Sequence, residues 1–467
     1  LYSVTRTVDS QPIVQYFAYD HQGRQTHVWG NGTYPVAYEY DAYGRRTKMH
    51  TFRSPSGVDF TGTTWPSISI PSTPQPNDDI ETTIWVYDPA TGLLKQKIDD
   101  SGQAVTYTYT PDGKLSTRQW ARHDANTVTT YTYDSNTGEM TGIDYPGSDT
   151  PDVTFTYTRL GRQATVQDGV GTRTFTYDEG VTGKLHLLSE AIAGTGGFYS
   201  KTITRDYQGT GTGEIPGRDA GFHIGTEYGV AYHYDNAGTG GQLTGTGRFR
   251  RITGPGLPGY VSPSTPGYGV EYARLANSDL LEYTSYKSDA NTTLARTQRD
   301  YESNRDLIEW VENKLGTTQV SKYNYNATND DLDALGRRTS VVYTGTAFAQ
   351  SHLFKWGYNT RSELVTADRY QGTNPDSPGS QYSQYGDYEF AYDHIGNRLT
   401  YGLDANPDTT YTANDLNQYT VTSNPTEAFS HDFDGNLTLD RQFVYTWDAE
   451  NRLIEVQTRI DWGQYSD

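Results

Sequence analysis

Residues 17–28 read FAYDHQGRQTHV, residues 38–49 read YEYDAYGRRTKM and residues 390–402 read FAYDHIGNRLTYG. All three carry an alternating aromatic stretch, then Tyr-Asp, then Gly three residues after the Asp. The Tyr-Asp pair returns at Tyr19-Asp20, Tyr40-Asp41, Tyr87-Asp88, Tyr133-Asp134, Tyr177-Asp178, Tyr234-Asp235 and Tyr392-Asp393. Weaker copies stand at 107–118 (YTYTPDGKLSTR), 155–166 (FTYTRLGRQATV) and 445–456 (YTWDAENRLIEV), the last built on Trp447-Asp448. The motif tyrosines at 87, 109, 133, 157 and 177 are 22, 24, 24 and 20 residues apart. About twenty residues hold two strands of about six residues and two turns. Each unit therefore reads as one β-hairpin chained to the next, and the repeat sets the architecture.

Local chemistry agrees. In residues 104–109 (AVTYTY) the side chains of Val105, Tyr107 and Tyr109 share one face and the threonines the other. Period two with β-branched and aromatic residues is a strand signal. The turn follows at once. Asp20, Asp41 and Asp393 suit the first position of a type I turn, where a carboxylate accepts backbone N–H groups two residues on. Gly23, Gly44 and Gly396 suit the left-handed position that closes the turn into a bulge. Each motif Asp is thus read as a turn residue rather than a catalytic one.

A chain of 467 residues exceeds the usual size of a single core. A repeat array escapes that limit because each unit packs mainly on its neighbours. Apolar residues make up only 34%, so the 40 tyrosines must supply much of the buried area. Each brings a hydroxyl that needs a partner or water, and the expectation is a buried ring with a wet hydroxyl. The net charge of −20 excludes nucleic acid and anionic membrane surfaces as default partners. No apolar run reaches membrane-spanning length. Cysteine is absent, which rules out disulfides and thiol chemistry. The chain starts at Leu1 without a signal-peptide pattern and begins and ends in repeat-like sequence, so it reads as a section of a longer polypeptide.

Domain organisation is read as one array over 1–467, interrupted at about 53–83, 207–229, 245–269 and 371–386. These Pro-, Gly- and Ser-rich stretches read as long surface loops between hairpins, where binding would reside. Helix signal is scarce, with residues 304–314 the best stretch for a turn or two.

Sites of other kinds do not hold up. Residues 254–259 (GPGLPG) match GxGxxG, but two prolines and no following helix remove the phosphate-binding geometry. Residues 331–336 (DLDALG) begin like a calcium loop, yet Leu335 occupies a ligand position and the distal Glu is missing. His223 and His233 could meet across a hairpin, although no HExxH or Cys/His cluster supports a metal. Sequons stand at Asn31, Asn291, Asn326 and Asn436. Tyrosine and tryptophan faces could stack on sugars, but alternating tyrosines are first of all packing residues. No nucleophile elbow and no locatable carboxylate pair exist, so no catalytic, cofactor-binding or metal residue is assigned.

These residues resemble the Rhs/YD-repeat family of bacterial toxins, wall-associated proteins and, more distantly, teneurins. The likeness runs over essentially the whole chain. It is most specific in residues 387–402, 411–420 (YTANDLNQYT), 431–440 (HDFDGNLTLD) and 443–456, which follow the order expected late in an Rhs core. The resemblance implies an all-β fold of antiparallel hairpin repeats, a long sheet spiralling into a hollow shell or cocoon. In toxin members that shell encloses a C-terminal effector, and a core-associated segment plugs it and cleaves itself with aspartates. No position here matches that segment, and Asp432/Asp434 read as turn chemistry.

About thirteen hairpins give about twenty-six strands, a ribbon of roughly 125 Å and a ring about 40 Å across. That allows one turn of wall at most, with both end strands unpaired unless flanking repeats or further copies of the chain cover them. The expected function is a non-catalytic structural scaffold. It would be a section of an exported, extracellular or cell-surface shell that encloses or presents a polypeptide. The alternative is an adhesion or carbohydrate-binding module, able to form filaments through its end strands.

Overall fold

The computed structural model describes residues 1–8, 10–53, 57–75, 79–122, 128–147, 149–179, 185–197, 199–210, 214–235, 247–254, 269–288, 292–328 and 331–459. They form a 32-stranded antiparallel sheet followed by a four-stranded one, with no α-helix among them. Within each sheet every strand pairs with its neighbours in sequence, from Tyr2–Val8 against Gln11–Tyr19 to Phe443–Trp447 against Leu453–Thr458, and the ladder breaks once, between Thr426–Ala428 and Ser430–His431. The result is a meander, a ribbon whose width is one hairpin.

The repeat residues fall where turn chemistry puts them. Tyr19, Tyr40, Tyr87, Tyr133, Tyr177, Tyr234 and Tyr392 each end a strand. The pairing slips by one residue at each of them, so that Tyr19 faces Gln25 and Tyr40 faces Arg46. Such a bulge bends a strand and raises its twist. Because most of the bulges lie at the rim that carries the Tyr-Asp turns, with those at Lys287 and Lys314 on the other rim, the bends add and the ribbon coils. Threonines line one face in cross-strand pairs, with Thr108 Oγ1 2.6 Å from Thr117 Oγ1 and Thr156 Oγ1 2.7 Å from Thr165 Oγ1.

Several loop expectations are corrected. The 53–83 insertion is not simply a surface loop. Its Phe60 and Trp65 pack with Trp29 and Phe52 of the sheet, and Trp29 Nε1 donates to the Gly62 carbonyl at 3.0 Å. Phe52 is fully buried and Phe60 is 5% exposed, so the insertion caps a hydrophobic cluster built on Trp29, Phe52 and Ile80. Within 207–229 lie the whole strand Asp219–Ile224 and the start of Tyr228–Tyr234. The 371–386 stretch folds back on its own strand, through Tyr382 N–H to Arg369 O at 3.0 Å. Most of 245–269, the GxGxxG match included, lies outside the described residues. Residues 304–314 are not helical: Ile308–Leu315 is a strand, its Val311, Asn313 and Leu315 facing Arg299, Thr297 and Ala295.

Candidate functional site

The turn is a self-contained clamp. Asp20 Oδ1 accepts the N–H groups of Gln22 (2.8 Å) and Arg24 (3.0 Å), and Oδ2 holds Arg24 Nε at 2.6 Å. Gly23 closes it with φ +78° and an N–H donated to Asp20 O. Asp41 repeats this with Tyr43 and Arg45, Asp333 with Leu335 and Arg337, and Asp448 with Glu450 and Arg452. Asp88 and Asp134 use one more residue and bind the N–H groups two and three positions on. Asp393 clamps Ile395, Asn397 and the Asn397 side chain, with Gly396 at φ +94°. Donation from the Arg24 backbone holds the Asp20 carboxyl below the usual range, and the Thr91 and Thr137 N–H groups do the same for Asp88 and Asp134. Asp178 and Asp235 keep the backbone frame, with Asp178 N–H to His186 O and Asp235 N–H to Arg248 O.

The clamp also reaches the next hairpin. Arg24 Nη1 donates to Asp41 O at 3.1 Å, and its guanidinium lies 4.8 Å from the Tyr40 ring. Arg45 does the same for Gly92 O and Tyr87. The phenols answer in the other direction. Tyr40 donates to Gln25 O at 2.8 Å, Tyr87 to Arg46 O, Tyr133 to Leu115 O, Tyr157 to Met140 O, Tyr177 to Gln163 O and Tyr234 to Asp219 O. In each case the acceptor is the residue that faces the neighbouring hairpin's strand-ending residue across a bulge. Trp447 joins this ladder through Nε1 to Leu437 O at 2.7 Å. These hydroxyls are therefore not left to water, as the sequence suggested. They stitch hairpin to hairpin. Burial pushes the Tyr133 and Tyr157 phenols above their ordinary range.

After about 24 strands the ribbon meets itself. Tyr-Asp-type turns from the later part sit on the opposite rim of the earlier part. Tyr34 donates to Glu363 at 3.0 Å, and Thr360 Oγ1 to Asn31 O at 2.5 Å. His394 N–H donates to Arg53 O at 2.8 Å, while Arg53 reaches Ala413 O and is held by Glu81. Further on, Ala121 N–H donates to Asp434 Oδ1 at 2.8 Å, and Arg122 lies 3.2 Å from Asp432 and 3.0 Å from Asp434. The Nε–Oδ2 contact to Asp434 is an ion pair without hydrogen-bond alignment. Arg118 pairs with Glu450 at 2.5 Å, and Ala449 N–H donates to Thr150 Oγ1. The turns in this seam are buried, with Asp393 2% and Asp448 8% exposed. Burial pushes the carboxyls of Asp434 and Glu81 up, against the pull of their arginines.

About 24 strands at about 4.8 Å make a ring roughly 115 Å round and 37 Å across, close to the expected diameter. The prediction of one turn at most was low. Hairpins without a literal Tyr-Asp pair lengthen the ribbon, so the wall overlaps itself through residues 360–450.

The remaining sequence candidates are placed as follows. Residues 331–336 form a turn around Asp333, as expected in place of a calcium loop, and its clamp makes it one of the repeat turns although Leu332 stands where Tyr was sought. Asp432 is a turn clamp for Asp434, Asn436 and the Asn436 amide, but Asp434 belongs to the seam. His223 and His233 do not meet: His223 sits 3.2 Å from Asp206 and His233 2.8 Å from Thr253. Of the sequons, Asn31 bonds Val14 and Pro12, Asn326 bonds Glu309, and Asn291 lies outside the described residues. Among the described residues, no three His, Asp or Glu side chains converge as a metal set would.

The RHS repeat family model matches residues 19–57. The TcdB2–TccC3–Cdc42 crystal structure matches the fold with a TM-score of 0.60 at 14% identity, over 94% of this chain and 24% of that one. The Tc holotoxin pore of Photorhabdus luminescens matches with a TM-score of 0.62 at 14% identity, over 95% of this chain and 22% of that one. The chain thus spans about a quarter of the length of the solved chains it resembles. No protein of curated function matches significantly. Residues 19–57 thus carry an RHS repeat, and the chain as a whole repeats its Tyr-Asp signature and shares the fold of these solved chains.

Proposed function

We propose that this chain is a non-catalytic wall section of an exported shell that encloses a polypeptide. The seam carries the reading. A flat ribbon or a simple adhesion platform has no use for ion pairs and buried turns that join residues about 300 positions apart. A ribbon that must surround something does. The hydroxyls of Tyr40, Tyr87, Tyr133, Tyr157, Tyr177 and Tyr234 support it too, since neighbouring hairpins take them up and they are not free for a sugar. Flanking repeats or further copies of the chain are the natural partners of the two end strands. Tyr2–Val8 is exposed along nearly its whole length and Leu453–Thr458 along all of it.

Electron microscopy of the chain within its natural full-length polypeptide tests this. The expected image is a coiled wall with non-ribbon polypeptide density inside it. An empty wall with every other domain outside would overturn enclosure, and an uncoiled ribbon would overturn the shell itself.

A further inference from the structure

In most units the residue after the turn glycine is the cation that locks one hairpin to the next. Arg24, Arg162, Arg218 and Arg337 place their guanidinium groups 4.8, 5.1, 4.6 and 4.7 Å from the tyrosine ring of the following unit. Lys114 does so at 5.4 Å, and the His186 ring stacks on Tyr207 at 4.4 Å. Around Arg24 and Arg337 the slot that receives the cation has three walls: the turn Asp, the next tyrosine face and the next turn's first carbonyl.

In the unit that starts at Tyr87 the same position is Leu93. The correspondence is fixed by the bulge, since Leu94 faces Tyr87 as Gln25 faces Tyr19. The walls of the slot are nonetheless in place. Asp88 Oδ1 is committed to Ala90 and Thr91, but Oδ2, the atom that binds Nε in Asp20 and Asp41, accepts no hydrogen bond among the described residues. Tyr109 is held on edge by its bond to Leu94 O at 2.7 Å, and no cation covers its face among the described residues. Thr110 O closes its own turn with Gly113 N–H, as Asp41 O does with Gly44, and keeps the lone pair that elsewhere takes Nη1. A groove of about 710 Å³ opens there, lined by Asp88, Leu93, Tyr109 and Asp112, with Lys95 also on its wall. It lies on the turn-bearing rim, in a stretch that the seam does not cover.

We propose that this groove is a docking slot for an arginine side chain of another polypeptide. The partner would supply in trans the guanidinium that neighbouring units supply to themselves. Planarity selects arginine over lysine, because one flat group must pair with Asp88 Oδ2, lie on Tyr109 and donate to Thr110 O together. The proposal goes beyond the enclosure reading and does not depend on it.

The test is an NMR titration of tyrosine-labelled protein with the capped tripeptide Gly-Arg-Gly. The expected result is a saturable shift of the Tyr109 ring signals at millimolar peptide. Gly-Leu-Gly should give none and Gly-Lys-Gly a weaker one. Leu93→Arg should fill the slot from within, abolish the shift and raise the unfolding temperature. Asp88→Asn retains the turn's Oδ1 acceptor and should weaken binding several-fold, which keeps the test open if Leu93→Arg fails to fold. No saturable shift, an equal response to Gly-Leu-Gly, or a shift that survives Leu93→Arg would each overturn the proposal.

Discussion

Replacing Arg122 by Ala should open the seam at its most buried ion pair. Arg122 is 13% exposed and Asp434 1% exposed, so solvent screens this pair weakly. The substitution removes the contacts to Asp432 and Asp434 and the bond from Nη2 to Asp448 O. It leaves the Asp434 carboxylate under the wall with only the Ala121 and Arg122 N–H groups for company. Removing one partner of a buried pair typically costs about 3–5 kcal/mol. Repeat arrays open locally, so the loss falls on the overlap and not on the whole chain. At about 1.36 kcal/mol per decade, amide exchange in the seam should accelerate about 150- to 5,000-fold. Hydrogen exchange read by mass spectrometry should show this at residues 119–122 and 431–436, with residues 20–24 unchanged. Asp434→Asn added to Arg122→Ala should recover much of the protection, because a neutral amide is cheaper to bury than a carboxylate. An acceleration below about fivefold, or a double variant no better than the single, would refute the claim that this pair holds the wall closed.

Three further outcomes are expected. Tyr157→Phe strips one rung from the ladder and leaves Met140 O short of its donor, so it should cost about 1 kcal/mol in denaturant unfolding, while Tyr43→Phe, on an 84% exposed side chain, should cost nothing measurable. Gly396→Ala should weaken the seam far more than Gly23→Ala in seam-exchange measurements. Both glycines have positive φ, but only the new Cβ at 396 would meet another part of the wall, 2.9 Å from the Tyr34 hydroxyl. The unfolding midpoint should fall in two stages on acidification. Burial lowers the pKa of His50, His352 and His394 below 6.5, so their contribution is present above pH 6.5 and is lost as pH falls through the lower folded values. Asp20, Asp88 and Asp134 lie below 3.8 and add a second loss beneath that pH, which Glu81 and Asp434, shifted upward, partly oppose. A midpoint that rises between pH 6.5 and 5 contradicts the histidine assignment.

What the sequence revealed and what it hid divide by distance along the chain. The tyrosine, aspartate and glycine of each unit were legible because their chemistry closes within five residues, as Asp20 does with Gln22 and Arg24. Arg24 and Arg45 stand directly after Gly23 and Gly44, but nothing local shows their purpose, since they act on carbonyls 17 and 47 residues away. Phe60 and Trp65 sat in a segment whose proline content spoke for a loop, and only their ring contacts with Trp29 and Phe52 show what they cover. The seam was the least legible part. Nothing local marks Arg122 or Asp434, whose positions become neighbours only when the coil's circumference is fixed by bulges summed over some two dozen strands.

The two rims of the ribbon are chemically different, and the seam joins one kind to the other. Such a contact is heterologous: it does not pair a surface with itself. Each completed turn covers one rim and offers the same kind of rim again, displaced along the axis by one hairpin. The geometry therefore carries an instruction to continue and none to stop. The height of such a wall must be set by end pieces of different chemistry, much as terminal repeats cap a solenoid.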